Sequence, residues 1–390
     1  MTIKKTTPFW GAAFLMATSA IGPGFITQTT LFTKELLTSF GFVILVSVLL
    51  DIVAQLNIWR IVTVAEQKAP DIVNRVLPGM GTVLSILIVA GGLVFNIGNF
   101  AGTGMGLEAL AGIPVKTGVL ISAVIATIIF SLKDASKALD WFTKILGVTM
   151  IGMMIFVLSG VSIPGTAVLK GFVLPEQTSA RAIVTLVGGT VGGYISFAGA
   201  HRLLEAGVKG VSAVPEVTRS SVRGILLATV MRCLLYLVAL GVVLAGANLE
   251  GGANPAAMVF QFAMGDAGRM IFGFILWAAA ITSVVGCAYT SISFLRSVHP
   301  VIDKSYRTIT LVFIWLSALA FIFIGNPVQV LVWAGTMNGF ILPVAVALLL
   351  IGVHQGKVLP ANYKYPNWLL YAGWTLVAFL TWMIIQILAG

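Results

Sequence analysis

The sequence predicts an all-α, polytopic membrane protein of about 11 transmembrane helices, arranged as a 5+5 inverted repeat with broken helices one and six and one added helix. Three observations carry this. Of 390 residues, 58% are hydrophobic and 9% charged, with a mean hydropathy of +1.04, too little polar surface to cover a soluble globule of that size. Apolar stretches of about 20 residues, long enough to cross a bilayer, follow one another with short polar turns along nearly the whole chain. Two of these stretches are interrupted by glycine: Ile21-Gly22-Pro23-Gly24-Phe25 in the first, and Gly188-Gly189-Thr190-Val191-Gly192-Gly193-Tyr194 in the sixth.

The spans centre near residues 22, 52, 95, 124, 154, 194, 235, 283, 316, 340 and 378. The short basic segment Met1 to Pro8 runs straight into a span too long for a cleaved signal region, so it is expected to stay as the first helix. An odd number of spans puts the termini on opposite sides. With Lys4 and Lys5 inside, the cytoplasmic loops collect Lys68, Arg75, Lys133, Lys137, Lys209, Arg219, Arg223, Arg296, Lys304, Arg307, Lys357 and Lys364, while the opposite loops keep chiefly Lys34, Lys116, Lys170 and Arg181. The positive-inside rule therefore places the N-terminus in the cytoplasm; the plasma (inner) membrane is the expected location. Residues 1–390 form one transporter domain: a first repeat over 8–165, a second over 180–353 and an extra helix over 366–389. Asn254 to Asp266, only half apolar, reads as a short interfacial helix.

The net charge of +10 belongs to these loops and calls for no nucleic acid. Two cysteines, Cys233 and Cys287, lie in separate spans and offer neither a disulfide framework nor a metal motif. Three histidines, no HExxH and no nucleophile with a base at motif spacing argue against an enzyme. Gly102-Thr103-Gly104-Met105-Gly106 has no preceding strand and reads as a packing stripe, not a phosphate loop.

Gly11-Ala12-Ala13-Phe14-Leu15 followed by Ile21-Gly22-Pro23-Gly24, Gly112-Ile113-Pro114 after span three, Ala278-Ala279-Ala280-Ile281-Thr282-Ser283 in span eight and Leu342-Pro343 in span ten resemble the NRAMP-type divalent-metal transporters. The resemblance covers most of the chain and implies a leucine-transporter-like fold in the APC superfamily, with helices one and six rocking in alternating access. The departures matter as much. Gly22 and Phe25 stand where the family has its metal-binding Asp and Asn, Gly192-Gly193-Tyr194 where it has Met-Pro-His, and Asn96 and Asn99 where helix three has Asp and Glu. The carboxylate and soft sulfur that would hold a transition-metal dication are missing.

Broken helices that lose acids and gain glycine suit an anion. A half-helix beginning after Gly24 would turn free N–H groups and the positive end of its dipole into the cavity, the device that holds carboxylates in transporters with paired broken helices. The candidate substrate site is Ile21, Gly22, Pro23, Gly24, Phe25, Thr27, Gln28, Asn96, Asn99, Gly192, Gly193, Tyr194 and Phe197. The bland alternative is close helix packing for the glycines, interhelical hydrogen bonding for the polar side chains and core packing for the aromatics. The expected cargo is a small amino acid, an imino acid or a short carboxylate such as 5-oxoproline, and the alternative cargo is a divalent metal cation in an altered site.

Ion coupling by H⁺ or Na⁺ is expected through Asp51, His201, Thr282 and Ser283, with no further cofactor. Asp51 either carries a proton or pairs with Arg232 in span seven; His201 stands at a helix end, where a solvated role competes. Thr282 and Ser283 resemble a Na⁺-holding hydroxyl pair, against which stands back-bonding to their own helix. Oligomeric state is not legible in the sequence.

Overall fold

The computed structural model describes residues 22–132, 135–247, 249, 254–296 and 300–389. The described residues form fifteen helices: α1 Pro23–Leu36, α2 Phe40–Ala65, α3 Ala69–Val76, α4 Met80–Ala111, α5 Val115–Ser131, α6 Ala135–Gly160, α7 Gly165–Val173, α8 Ala180–Val191, α9 Ile195–Glu205, α10 Val214–Leu244, α11 Pro255–Leu295, α12 Pro300–Lys304, α13 Tyr306–Ile324, α14 Pro327–His354 and α15 Asn367–Ala389. Among them no strand is present. Helices stand at ten of the eleven expected spans, α8 and α9 together being the sixth; of the first only α1 is described, its stretch up to Ile21, with Met1 to Pro8, lying outside the described residues. The short α3, α7 and α12 lie between spans and hydropathy does not announce them.

Local chemistry sets the helix ends. Pro23, Pro255 and Pro327 open their helices, where a missing N–H costs nothing and the fixed φ is already helical. Asn254 and Asn326 cap the latter two by accepting from Ala257 N and Gln329 N, each at 3.1 Å. Gly112 and Gly325 end α4 and α13 at φ 68° and 76°, a left-handed turn that glycine takes without penalty. Gly265, at φ 65° and ψ −160°, breaks α11. The half-apolar stretch after Asn254 is therefore a helix of its own that joins span eight at this kink.

Two cores meet at the centre of the molecule. One gathers Trp59, Phe40, Phe197 and Leu349 from α2, α9 and α14; the other gathers Phe100, Met154, Phe260 and Phe313 from α4, α6, α11 and α13. The outward surface stays apolar, with Phe323 88% and Leu388 74% exposed. Such a surface is stable only where lipid covers it. Glycine lets the central helices touch. A methyl on Gly102 would strike Pro23 of α1, one on Gly104 would lie 2.6 Å from Val115 O of α5, and one on Gly106 would lie 2.5 Å from Trp277 N of α11. The stripe on α4 is packing, and it fixes where α1 begins.

Candidate functional site

At the start of α1, Gly22 is the N-cap in extended conformation, no side chain caps the helix, and Pro23 to Phe25 are buried. The half-helix thus begins at Pro23, ahead of the expected start after Gly24, because proline is preorganised for the first helical position. Ile21 lies outside the described residues. One turn on, Gln28 Nε2 donates to Leu331 O of α14 at 2.8 Å, while its Oε1 is buried without a partner beside Gly189. Thr27 beside it is 1% exposed.

The break in the sixth span is shorter than the glycine run suggests. Gly188 and Gly189 are still helical, and only Gly192, Gly193 and Tyr194 leave the helix. Gly188 instead lets α8 and α14 meet backbone to backbone: a methyl there would collide with Gly335 O and Gly339 N. The freed N–H groups do not point at a vacant cavity either. Gly193 N donates to Asn338 O at 3.0 Å and Tyr194 N to Asn338 Oδ1 at 3.1 Å. Asn338 Nδ2 in turn donates to Gly91 O at 3.0 Å and Ala334 O at 2.9 Å. Asn338 therefore accepts from the break twice, once with its backbone oxygen and once with its side-chain amide, and the same amide ties α14 to α4.

Between the two breaks stands a charge. Arg232 of α10 is 2% exposed; its guanidinium carbon lies 4.2 Å from the centre of the Phe25 ring, and its Nη2 donates to Thr190 Oγ1 at 2.9 Å in the last turn of α8. Its Nε–H is buried without a partner. No Asp51 oxygen comes within 4.0 Å of it, so the direct ion pair expected as one role for Asp51 is absent. Arginine at the centre of a span costs about 2.5–3.5 kcal/mol on insertion scales. A desolvated cation–π contact of about 2 kcal/mol and a hydrogen bond to the charged group of about 1.5–3 kcal/mol offset it. The unpaired Nε–H, next to the donating Nη2, is the edge of the fork that matches a carboxylate.

The other candidates distribute around this point. Asn99 is buried with Nδ2 unpartnered, on the turn of α4 between Gly98, which meets Leu331, and Gly102, which meets Pro23. Asn96 faces away, donating to Ser317 Oγ of α13 at 3.2 Å. The Tyr194 hydroxyl donates to Cys287 O at 3.4 Å and its ring lies 5.9 Å from that of Phe95. Phe197 is buried in the first core. Asp51 is 1% exposed with Oδ1 unpartnered. His201 is 4% exposed, its ring tilted against that of Phe294 at 5.2 Å, with Nε2 3.0 Å from Glu205 Oε1; the solvated helix-end reading gives way to a packed imidazole because Phe294 of α11 covers it. Thr282 donates to Ala279 O of its own helix at 2.9 Å, and Ser283 is part-buried one residue on.

Contacts thus join Phe25 to Arg232, Arg232 to Thr190, Gln28 to Gly189 and Leu331, and Pro23 to Gly102, whereas Asn96 is engaged by Ser317, His201 by Phe294 and Glu205, and Thr282 by its own helix. Sequence reasoning missed Asn338 and assigned Arg232 only to Asp51. An asparagine inside the glycine-rich run Gly335-Thr336-Met337-Asn338-Gly339 was the available signal for the first. Among the described residues no three His, Cys, Asp or Glu side chains come together. A dication beside Arg232 would be repelled: unit charges ~4 Å apart at an effective dielectric of about 20 interact by about 4 kcal/mol, and a double charge by about twice that.

Residues 13–390 match the model of the Nramp family, natural resistance-associated macrophage protein-like. The chain is 54% identical over 364 residues to the uncharacterized membrane protein YcsG of Bacillus subtilis (strain 168), covering 93% of this chain and 89% of that one. It is 49% identical over 380 residues to an uncharacterized membrane protein of Haemophilus influenzae, covering 97% and 94%. In fold it is similar to a crystal structure of the Eremococcus coleocola manganese transporter bound to an aromatic bis-isothiourea substituted compound, with TM-score 0.74, 17% identity and coverage of 98% of this chain and 87% of that one. It is also similar to Mhp1, a nucleobase-cation-symport-1 family transporter in a closed conformation with bromovinylhydantoin bound, with TM-score 0.57, 15% identity and coverage of 88% and 75%. The leucine-transporter-like architecture that the resemblance implies is the one these neighbours share. Matched along nearly its whole length, the chain belongs to the Nramp family and is an integral, multi-pass membrane transporter, not an enzyme.

Proposed function

We propose that this Nramp-family transporter moves a small organic carboxylate, such as an amino acid, an imino acid or 5-oxoproline, by ion-coupled symport across the inner membrane, with its N-terminus in the cytoplasm. The observation that carries the reading is the buried guanidinium of Arg232 between the start of α1 and the break before α9, with its Nε–H unpaired. A carboxylate there would complete the fork and face the uncapped N-terminus of α1. Phe25 would cover its apolar body. In this reading the two five-helix repeats, 8–165 and 180–353, carry the site between them, and α1 with α8–α9 rocks against the rest.

The likeness of fold to a manganese transporter favours a second reading, a divalent cation held by carbonyl and amide oxygens. The buried cation at the site opposes it. Thermal unfolding of the purified protein separates the two. The carboxylate reading expects stabilisation by L-proline, 5-oxoproline or lactate and none by MnCl₂; at a hundredfold excess over Kd the gain is about 2.7 kcal/mol. Stabilisation by manganese alone would overturn it.

A further inference from the structure

Gln28 of α1 is 1% exposed, and one hydrogen bond fixes which way its carboxamide faces. Nε2 donates to Leu331 O of α14 at 2.8 Å. A carbonyl can only accept, so the amide cannot be turned round and Oε1 is held on the opposite side. There it is buried with no hydrogen-bond partner among the described residues. Glycine on three helices makes room for the group: a methyl on Gly189 of α8 would stand 2.6 Å from Oε1, one on Gly335 of α14 2.5 Å from Nε2, and one on Gly24 of α1 3.5 Å from Nε2. An acceptor so oriented, shielded from water and lacking a donor is a group that a ligand's donor would complete.

Its neighbours say where that ligand would lie. On α1 the amide rests against Gly24, and the guanidinium of Arg232 lies over Phe25, the next residue. On α8 the amide oxygen rests against Gly189, and Arg232 donates to Thr190, again the next residue. The two polar heads therefore stand side by side in the seam between α1 and α8, one with an unpaired acceptor and the other with an unpaired Nε–H. Successive Cα atoms are about 3.8 Å apart, so a ligand that meets both heads must carry its own donor close beside its carboxylate. We propose that Gln28 Oε1 selects, among small carboxylates, those with an N–H or O–H donor on the carbon that bears the carboxylate. The carboxylate takes the Nε–H edge of Arg232 and the donor points to Gln28. A plain fatty acid leaves Oε1 without a partner, and an ether or ester acid sets a lone pair against it. This inference rests on the carboxylate reading and adds to it the second group of the cargo that the site reads, and the residue that reads it.

Calorimetric titration of the purified full-length protein tests the choice with two pairs of acids of equal charge. One pair is 5-oxoproline and 5-oxotetrahydrofuran-2-carboxylate, in which a ring oxygen replaces the N–H; the other is lactate and propionate. The wild type should bind the donor-bearing acid of each pair at least about tenfold more tightly, the worth of one buried hydrogen bond. In Gln28→Met, a side chain of similar length without the acceptor, the preference should fall to about threefold or less. Equal binding within either pair by the wild type overturns the inference and leaves the carboxylate reading standing. A Gln28→Met protein that keeps the full preference overturns the assignment to Gln28. A wild type that binds none of the four acids overturns the carboxylate reading, and the selection with it. Should Gln28→Met fail to fold, Gly189→Ala takes its place: the added methyl displaces Oε1 and should narrow the same ratio, and an unchanged ratio overturns the assignment.

Discussion

Arg232 and Phe25 make a pair that, in the function proposed above, a carboxylate cargo completes. A guanidinium held over an aromatic face, donating once to Thr190 and leaving its Nε–H unpaired, contributes little to stability, since a buried ion seldom repays its own desolvation. Replacing it by an apolar residue of similar bulk is therefore a clean test of purpose. Arg232→Leu should leave the melting temperature of the ligand-free protein unchanged or raised, and should abolish stabilisation by small carboxylates. A protein that melts several degrees lower and still responds to carboxylates would show that Arg232 is structural. The sequence already marked Arg232 as an ionisable residue inside a span. It could not show that the side chain turns toward Phe25 and away from Asp51, because that choice depends on how α10 is rotated against α1 and α2.

At the scale of elements, the sixth span shows why a glycine run overstates a break. Seven residues from Gly188 to Tyr194 read as unwound, yet Gly188 and Gly189 are helical and serve the contact with α14, leaving three residues out of the helix. Glycine marks close approach and unwinding alike, and only the neighbour separates them. That neighbour is Asn338, which accepts from Gly193 N and Tyr194 N and donates to Gly91 and Ala334. Removing its side chain strands one buried donor, Tyr194 N, at a cost of about 1–3 kcal/mol; Gly193 N keeps the backbone oxygen. Asn338→Ala should destabilise the protein by about 2–4 kcal/mol, since the Oδ1 acceptor for Tyr194 N is lost and Gly91 O loses its donor. Chemical denaturation in detergent would measure it, and a loss below about 0.5 kcal/mol would mean that the break is held by other contacts. His201 teaches the same lesson from the other side. Its place near a helix end suggested solvent, but Phe294 of α11 covers it.

The whole molecule was the most legible level. Spans two to eleven, their order and the place of the break in the sixth follow from hydropathy and glycine spacing, because a bilayer demands about 20 apolar residues per crossing and tolerates irregular backbone only inside protein. The short helices between spans escaped because they are amphipathic and brief. Cargo was the least legible, since family resemblance points to a metal while the residues at the centre point to an anion. Uptake decides between them most directly. Proteoliposomes holding the purified protein, given labelled 5-oxoproline or L-proline on one side and labelled Mn²⁺ in parallel, with an inward proton gradient, should accumulate the acid and exclude the metal, and Arg232→Leu should abolish acid uptake. Accumulation of Mn²⁺, with neither acid moved, would contradict the account.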